Sequence, residues 1–408
     1  MSETHLIVGG GLAAGKAAEA LREEGFDGRI VVVTEERERP YERPPLSKEY
    51  LRREAPREKI YVHEEGWYAE HDVELRTGER VASIDAGASV AKLDSGEELR
   101  FAALLLATGA EPRRLRAPGA ELEGVHVLRS VDDSDAISER LERGGGRLTV
   151  VGGGWIGCEV AASARQRGLD VVMVEPLELP LVRVLGPEVA RVLRDVHADH
   201  GVEVLTGTGV EAFEGDGALR AVRTSDGRSI ECDFAVVGIG VAPRVQLAQD
   251  AGLAVGDGVL VDAALRTSAP GIFAAGDVAG QEHPRYAERV RVEHWANALN
   301  QGAAAGRSMA GREVVYDRLP YFFSDQYDVG LEYSGLASAD DELVVRGELG
   351  PAGFIAFWLR DGRVTAGLNL NVWDVTGPIQ ELIRSGVVVD RDALADVDTP
   401  LESLVGAA

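Results

Sequence analysis

Two stretches of this chain follow one plan, and nothing else in the sequence limits the fold as strongly. Residues 4–35 read as a strand (5–8), a glycine turn, a helix (12–22) and a second strand (29–34) ending at Glu35. Residues 147–175 repeat the plan: a strand (148–151), the turn GGGWIG, a helix, and a strand (170–174) ending at Glu175. Each turn obeys G-x-G-x-x-G/A, with Gly9, Gly11 and Ala14 in the first copy and Gly152, Gly154 and Gly157 in the second. The first glycine permits a tight reversal, the second lets a pyrophosphate approach the backbone, and the third position lets helix and strand close up. The helix start adds amide donors and a positive dipole end, and an acid about 20 residues further on takes the ribose hydroxyls. Glu35 lies 21 residues past Ala14, and Glu175 lies 18 past Gly157. A single turn of this kind is weak evidence. Two of them, each between strand and helix and each with its acid, imply two dinucleotides.

The two need not be the same dinucleotide. A carboxylate bonds a free ribose 2′-hydroxyl and repels a 2′-phosphate. Pro176, Leu177 and Glu178 offer a phosphate no arginine, so NADH is expected over NADPH at the second turn, with Arg183 as the nearest candidate to reverse that preference.

Composition narrows the rest. A chain of 408 residues has room for two to four domains. Apolar runs such as 101–107 fall far short of the roughly 20 residues that span a bilayer, and the opening MSETHLIVGGG is expected to carry no secretion leader. Two cysteines, Cys158 and Cys232, cannot form a disulfide framework or a CxxC pair, which fits a reducing cytoplasm. A net charge of −25 argues against nucleic acid and anionic membrane as partners.

Three further stretches narrow the class. LLLATGAEPR (104–113) ends a strand at Thr108-Gly109, VVGIGVAPR (236–244) is a similar strand and turn, and TSAPGIFAAGDVA (267–279) sets Asp277 after Gly276 at a strand end. Together with the two glycine turns, this set resembles the two-dinucleotide flavoprotein reductases related to glutathione reductase, over nearly the whole chain. The resemblance implies FAD on the first turn, the nicotinamide cofactor on the second, and Asp277 on the FAD ribityl chain. It also assigns Ala13, Val81, Ala107, Thr108, Gly109 and Gly276 to the flavin site, and Trp155, Ile156 and Gly240 to cofactor-lining positions.

The segment YERPPLSK (41–48) narrows the resemblance further, because it holds no thiol where the disulfide reductases keep their relay. It is similar to the ferredoxin reductases of bacterial oxygenase systems, the putidaredoxin and rubredoxin reductase type. By that resemblance Pro44 and Pro45 wall the flavin, Arg43 lies by the cofactor and Lys48 points at its reactive nitrogen. Read from the residues alone, prolines stiffen the backbone and a cation favours an anionic reduced flavin; an ordinary proline-bounded turn before a capped helix is the other reading. Glu159 follows the second turn. In the family it approaches the nicotinamide carboxamide, although a first-turn acid is also favoured by the helix dipole alone.

VEHWANALNQG (292–302) begins a helix whose entry, by the resemblance, faces the flavin and singles out Glu293, His294 and Trp295. His294 reads better as a structural histidine than as a base, since hydride transfer needs none. LPYFFSDQYD (319–328) resembles the opening of the family's C-terminal domain, where an aromatic residue borders the flavin; here the residues are Tyr321, Phe322 and Phe323. Cys232 reads as a core residue of an apolar strand (231–237).

The fold expected is α/β: two Rossmann-like dinucleotide-binding domains plus a C-terminal α+β domain. The FAD domain is split over 1–111 and 241–318, the NADH domain is 112–240, and the C-terminal domain is 319–408. The expected activity is FAD-dependent NADH:ferredoxin (or rubredoxin) reduction, with Lys48 and Glu159 at the reacting centre. The rivals are another acceptor (quinone, ascorbyl radical, a nitrite reductase component or oxygen) and an NADH-sensing flavoprotein like apoptosis-inducing factor. Arg113, Arg114 and Arg116, or Arg285, Arg289 and Arg291, could dock an acidic ferredoxin; the second group could equally pair with Glu282, Glu288 and Glu293.

Overall fold

The computed structural model describes residues 3–405. They form two compact units, one made of the segments up to Arg43, Pro56–Glu111 and Val241–Arg318, the other of Pro44–Ala55, Pro112–Gly240 and Leu319 onward.

The first unit is built on a parallel sheet in the order Ile272–Ala274, Ala103–Leu106, Thr4–Val8, Arg29–Thr34, Val73–Thr77. Its central strands are almost unbroken apolar runs, as a sheet covered on both faces requires. Strand order reverses at Thr4–Val8, and the first glycine turn leaves the carboxyl end of that strand, the usual ligand crevice of such a sheet. Helix Leu12–Glu23 packs closely on helix Trp295–Met309. The closeness depends on small residues: a Cβ added at Gly302 or Gly306 would run into the backbone of Ala13 or Ala17.

The second unit contains a parallel sheet with the same logic, in the order Val202–Thr206, Asp170–Glu175, Arg147–Val151, Phe234–Val237, Val125–His126. The reversal falls at Arg147–Val151, which carries the second glycine turn. Helix Val182–Asp199 kinks at Gly186 (φ +72°) and restarts at Pro187, a residue suited to a first helical turn. The C-terminal part is an antiparallel sheet, Tyr321–Gln326, Val329–Gly335, Arg363–Leu370, Phe354–Arg360, Glu342–Gly347, with helix Thr376–Ser385 against it. The fold is therefore α/β with two Rossmann-like sheets and a C-terminal antiparallel sheet domain.

Pro44–Ala55 is held within this second unit by serines reaching its carbonyls: Ser134 donates to Leu46 O (2.8 Å), Ser163 to Ser47 O (2.7 Å) and Ser138 to Leu51 O (2.9 Å). One sequence expectation is corrected. Cys232 is not inside a strand; it joins Ser229–Glu231 to Phe234–Val237, because the chain leaves one sheet there and enters another. It is buried all the same. Among the described residues no helix is long and apolar enough to cross a membrane, and no group of His, Cys, Asp or Glu could hold a metal ion.

Candidate functional site

At the first glycine turn the three motif positions do different work. Gly9 has φ +133°, and a Cβ there would overlap the carbonyl oxygen of Ala107 on the neighbouring strand's end. Only glycine fits, for reasons internal to the chain. Gly11, at the N-cap of Leu12–Glu23, has φ −98° and nothing within 4 Å of an added Cβ. Neither strain nor contact explains a glycine there; open space in front of helix amides does, and this is the cradle a pyrophosphate needs. Ala13 and Ala14 are buried behind it.

Around this cradle the first unit gathers several of the residues expected from sequence. Gly276 (φ +79°) stands beside Ala13, its added Cβ 3.3 Å from that methyl, and its N–H donates to Gln301 Oε1 (2.9 Å). Gln301 donates to Gln281 (3.2 Å), which donates to Tyr316 O (2.6 Å), so Gly276-Asp277 is fixed by a buried amide chain. Arg43 pairs with Glu36 (3.0 Å). Burial works against its charge, but Tyr41, Glu36 and Asp277 more than offset this and raise its pKa. Glu35 pairs with Arg244, whose backbone bonds Thr108 and Gly109 (3.0 and 2.9 Å). Val81 and Ala107 are buried. His294 stands at the N-cap position of helix Trp295–Met309 without a side-chain capping bond, and burial drives its pKa down to about 4, so at neutral pH it carries no charge. Burial raises the pKa of Glu42, with Trp295 partly countering it, while Glu293 pairs with Arg291.

The second turn repeats the device. Gly152 has φ +101° and an added Cβ would sit 2.5 Å from Gly238 O; at Gly157 it would overlap Gly152 O. Gly154, the N-cap of Trp155–Gln166, meets nothing closer than 3.9 Å. Glu175 is buried, accepting the amides of Gly153 (2.6 Å) and Leu177 (2.9 Å), so the acid also braces the turn. Ile156 is 40 % exposed and Arg183 is exposed. Trp155 packs edge-on to Phe322, with centroids 4.5 Å apart. Gly240 (φ +93°) is bonded through its carbonyl by the Arg113 amide (2.9 Å). Cys158 is wholly buried, and burial pushes its thiol far above the ordinary range.

Within the second unit Lys48 and Glu159, 111 residues apart in sequence, form a buried ion pair (Nζ–Oε1 3.0 Å). Pro44–Ser47 is a short 3-10 turn that presents Lys48, whose Nζ also lies 5.5 Å from the Phe323 ring centroid. Ser324 donates to Glu159 Oε1 (2.7 Å), and Ser47 donates to Oε2. The carboxylate is thus gripped on both oxygens in a dry setting, where charge-assisted bonds are strong. The Pro44 carbonyl is 3.4 Å from Lys48 Nζ.

Sequence reasoning missed Ser47, Ser324, Gln326, His197 and Arg244. Ser47 and Ser324 lie inside stretches singled out for their prolines and aromatics, so the signal was a hydroxyl next to a chosen residue. Of the two readings of the second arginine group, pairing within the fold is the one seen for Arg289 and Arg291. Arg291 is bound to Asp257 (2.8 Å) and Glu293, and Arg289 lies 3.7 Å from Glu282 and reaches backbone carbonyls, so these charges are satisfied within the fold.

Residues 3–302 match the family model for pyridine nucleotide-disulphide oxidoreductases, and residues 321–405 match that for the reductase C-terminal domain. The chain is 41 % identical to the 5,5′-dehydrodivanillate O-demethylase ferredoxin reductase subunit of Sphingobium sp., over 98 % of each chain. It is 38 % identical to the ferredoxin–NAD(+) reductase component of the anthranilate 1,2-dioxygenase system of Burkholderia cepacia, over 99 % of this chain and 100 % of that one. Among solved structures it resembles putidaredoxin reductase in its covalent complex with putidaredoxin, with a TM-score of 0.96, 33 % identity, and coverage of 100 % of this chain and 99 % of that one.

Proposed function

Since this chain belongs to the pyridine nucleotide-disulphide oxidoreductase family, we propose that it is an FAD-dependent NADH:ferredoxin oxidoreductase of an oxygenase system, acting in the cytoplasm. In this reading residues 1–111 and 241–318 form the FAD domain, except that Pro44–Ala55 packs in the second unit, 112–240 the NADH domain and 319–408 the C-terminal domain. FAD is held by Gly9, Gly11, Ala13, Ala14, Glu35, Arg43, Val81, Ala107, Thr108, Gly109, Gly276, Asp277 and the entry of the helix at Trp295. NADH is held by Gly152, Gly154, Trp155, Ile156, Gly157, Glu159 and Glu175. The observation that carries the reading is the pair of second glycines before helix N-termini, Gly11 facing open space and Gly154 with no atom nearer an added Cβ than Gly238 O at 3.9 Å.

A bound flavin supplies the conversion of one hydride into two single electrons. The chain supplies the rest. The two helix starts attract phosphates, and Glu175 reads an unphosphorylated ribose. Glu159, held rigid, orients the nicotinamide amide, and Lys48 contributes positive charge at the reacting centre. No thiol takes part, since both cysteines are buried. The partner is a small iron–sulfur protein of the ferredoxin or rubredoxin kind. The cofactor assignment is tested by denaturing the purified yellow protein and identifying what is released; FAD is expected, and FMN or no flavin after reconstitution overturns it.

A further inference from the structure

We propose that His197, Gln326 and Ser324 form a directional hydrogen-bond relay that fixes the orientation of the Glu159 carboxylate, which makes Ser324 a positioning residue for nicotinamide binding. The inference rests on the reading that Glu159 meets the nicotinamide. Ser324, Gln326 and His197 are 1 %, 2 % and 0 % exposed, yet each side chain is polar and each is engaged. Tyr327 OH lies 3.1 Å from His197 Nδ1, and His197 Nε2 lies 2.9 Å from Gln326 Oε1. Gln326 Nε2 donates to Ser324 Oγ (3.2 Å), and Ser324 donates to Glu159 Oε1 (2.7 Å).

The chemistry of these groups allows one direction only. An amide oxygen accepts, so His197 Nε2 carries the proton. Burial pushes the His197 pKa down to about 4, so the neutral ring has one N–H and its Nδ1 accepts from Tyr327. Gln326 then has its N–H aimed at Ser324, whose lone hydroxyl proton is left for Glu159. Every donor in the row points toward the carboxylate, and removal of any member leaves the next buried group short of a partner. Tyr327 adds a second sign of constraint. It occupies the hairpin between Tyr321–Gln326 and Val329–Gly335 at φ +59°, where a bulky side chain is unusual, and its ring stacks on His200 at 3.7 Å. Packing of the 182–199 helix against the hairpin would be served as well by apolar residues; a polar row ending on Glu159 is not needed for it.

The test is a double-mutant cycle read by calorimetric titration of NAD+ into the oxidised holoenzyme, with flavin content and thermal midpoint followed for every variant. Ser324→Ala is expected to weaken NAD+ binding about tenfold, the low end for a hydrogen bond to a charged acceptor, and to add almost nothing in the Glu159→Ala background. His197→Leu should share part of the loss, and His197→Gln, which keeps an N–H toward Gln326, should restore most of it. An undiminished Ser324→Ala loss in the Glu159→Ala background would mean that Ser324 acts through packing; the relay then falls and the site reading stands. No loss for Ser324→Ala in the native background also overturns the relay. If Glu159→Ala itself leaves NAD+ affinity unchanged, the reading of Glu159 fails and the relay with it.

Discussion

The Glu175 carboxylate accepts the Gly153 and Leu177 amides at the strand end where a ribose would be read, so its charge and its bracing of the turn can be separated by mutation. Glu175→Gln removes the charge and keeps an acceptor for only one of the two amides; the preference for NADH over NADPH should shrink by about 1–3 kcal/mol, the scale of a charged hydrogen bond. Glu175→Ala should do the same and also lower the thermal midpoint, because two amides lose their acceptor. The check is the ratio of kcat/KM for the two nucleotides, and a native preference for NADPH would shift attention to Arg183. A second residue-scale expectation concerns the cysteines. The thiolate is the reactive form, and burial raises both thiols, Cys158 above all. The double variant Cys158→Ala/Cys232→Ala should reduce its acceptor at near-native rate. Normal flavin reduction with lost acceptor turnover would show a thiol relay after all.

The glycine turns make a prediction at the scale of the element, since their positions serve different masters. Gly9→Ala drives a Cβ into the Ala107 carbonyl and fights φ +133°, so it should destabilise the apoprotein itself, by about 1–3 kcal/mol for the backbone alone. At Gly11 an added Cβ meets no atom within 4 Å, so Gly11→Val has room at its first carbon. It should fold with a near-native apoprotein midpoint and bind FAD far more weakly, measured by titration of the stripped protein. Unchanged FAD affinity in Gly11→Val would remove FAD from the first turn. These elements were readable because their determinants are local: glycine spacing, apolar runs and a closing acid fall within about 30 residues, the span of a βαβ unit. The grip on Glu159 was not. Ser47 and Ser324 lie 112 and 165 residues from it along the chain, and no local pattern marks a serine that tertiary packing will aim at a carboxylate. Glu293 as a partner of Arg291 was within reach of the sequence, but Asp257 was hidden for the same reason, since it reaches Arg291 from the turn between Val255–Gly256 and Gly258–Val261. Cys232 was misread because an apolar run does not show where the chain changes sheets.

For the molecule as a whole, three histidines, His5, His197 and His294, have pKa values lowered to about 4, chiefly by burial. Each folded-state value lies below the unfolded one near 6.5, so the unfolded chain binds more protons between the two. Stability is therefore fully present above about pH 6.5 and is lost as pH falls toward about 4. The urea midpoint should drop over that window, and His197→Gln should make the drop shallower; a midpoint independent of pH there would contradict the burial of these rings as neutral groups. The net charge of −25 bears on the partner as well, because an acidic ferredoxin is repelled at long range unless a local basic face outweighs it. What joins these scales is one electron route, from NADH through a flavin to a one-electron iron–sulfur acceptor. Its most direct test is an anaerobic stopped-flow experiment in which NADH is mixed with the purified holoprotein and an oxygenase-type ferredoxin is added after the visible absorbance settles. The flavin should bleach with NADH and then recover as about two ferredoxins are reduced per NADH; a flavin that NADH bleaches but that no ferredoxin in a broad panel reoxidises faster than oxygen does would overturn this route.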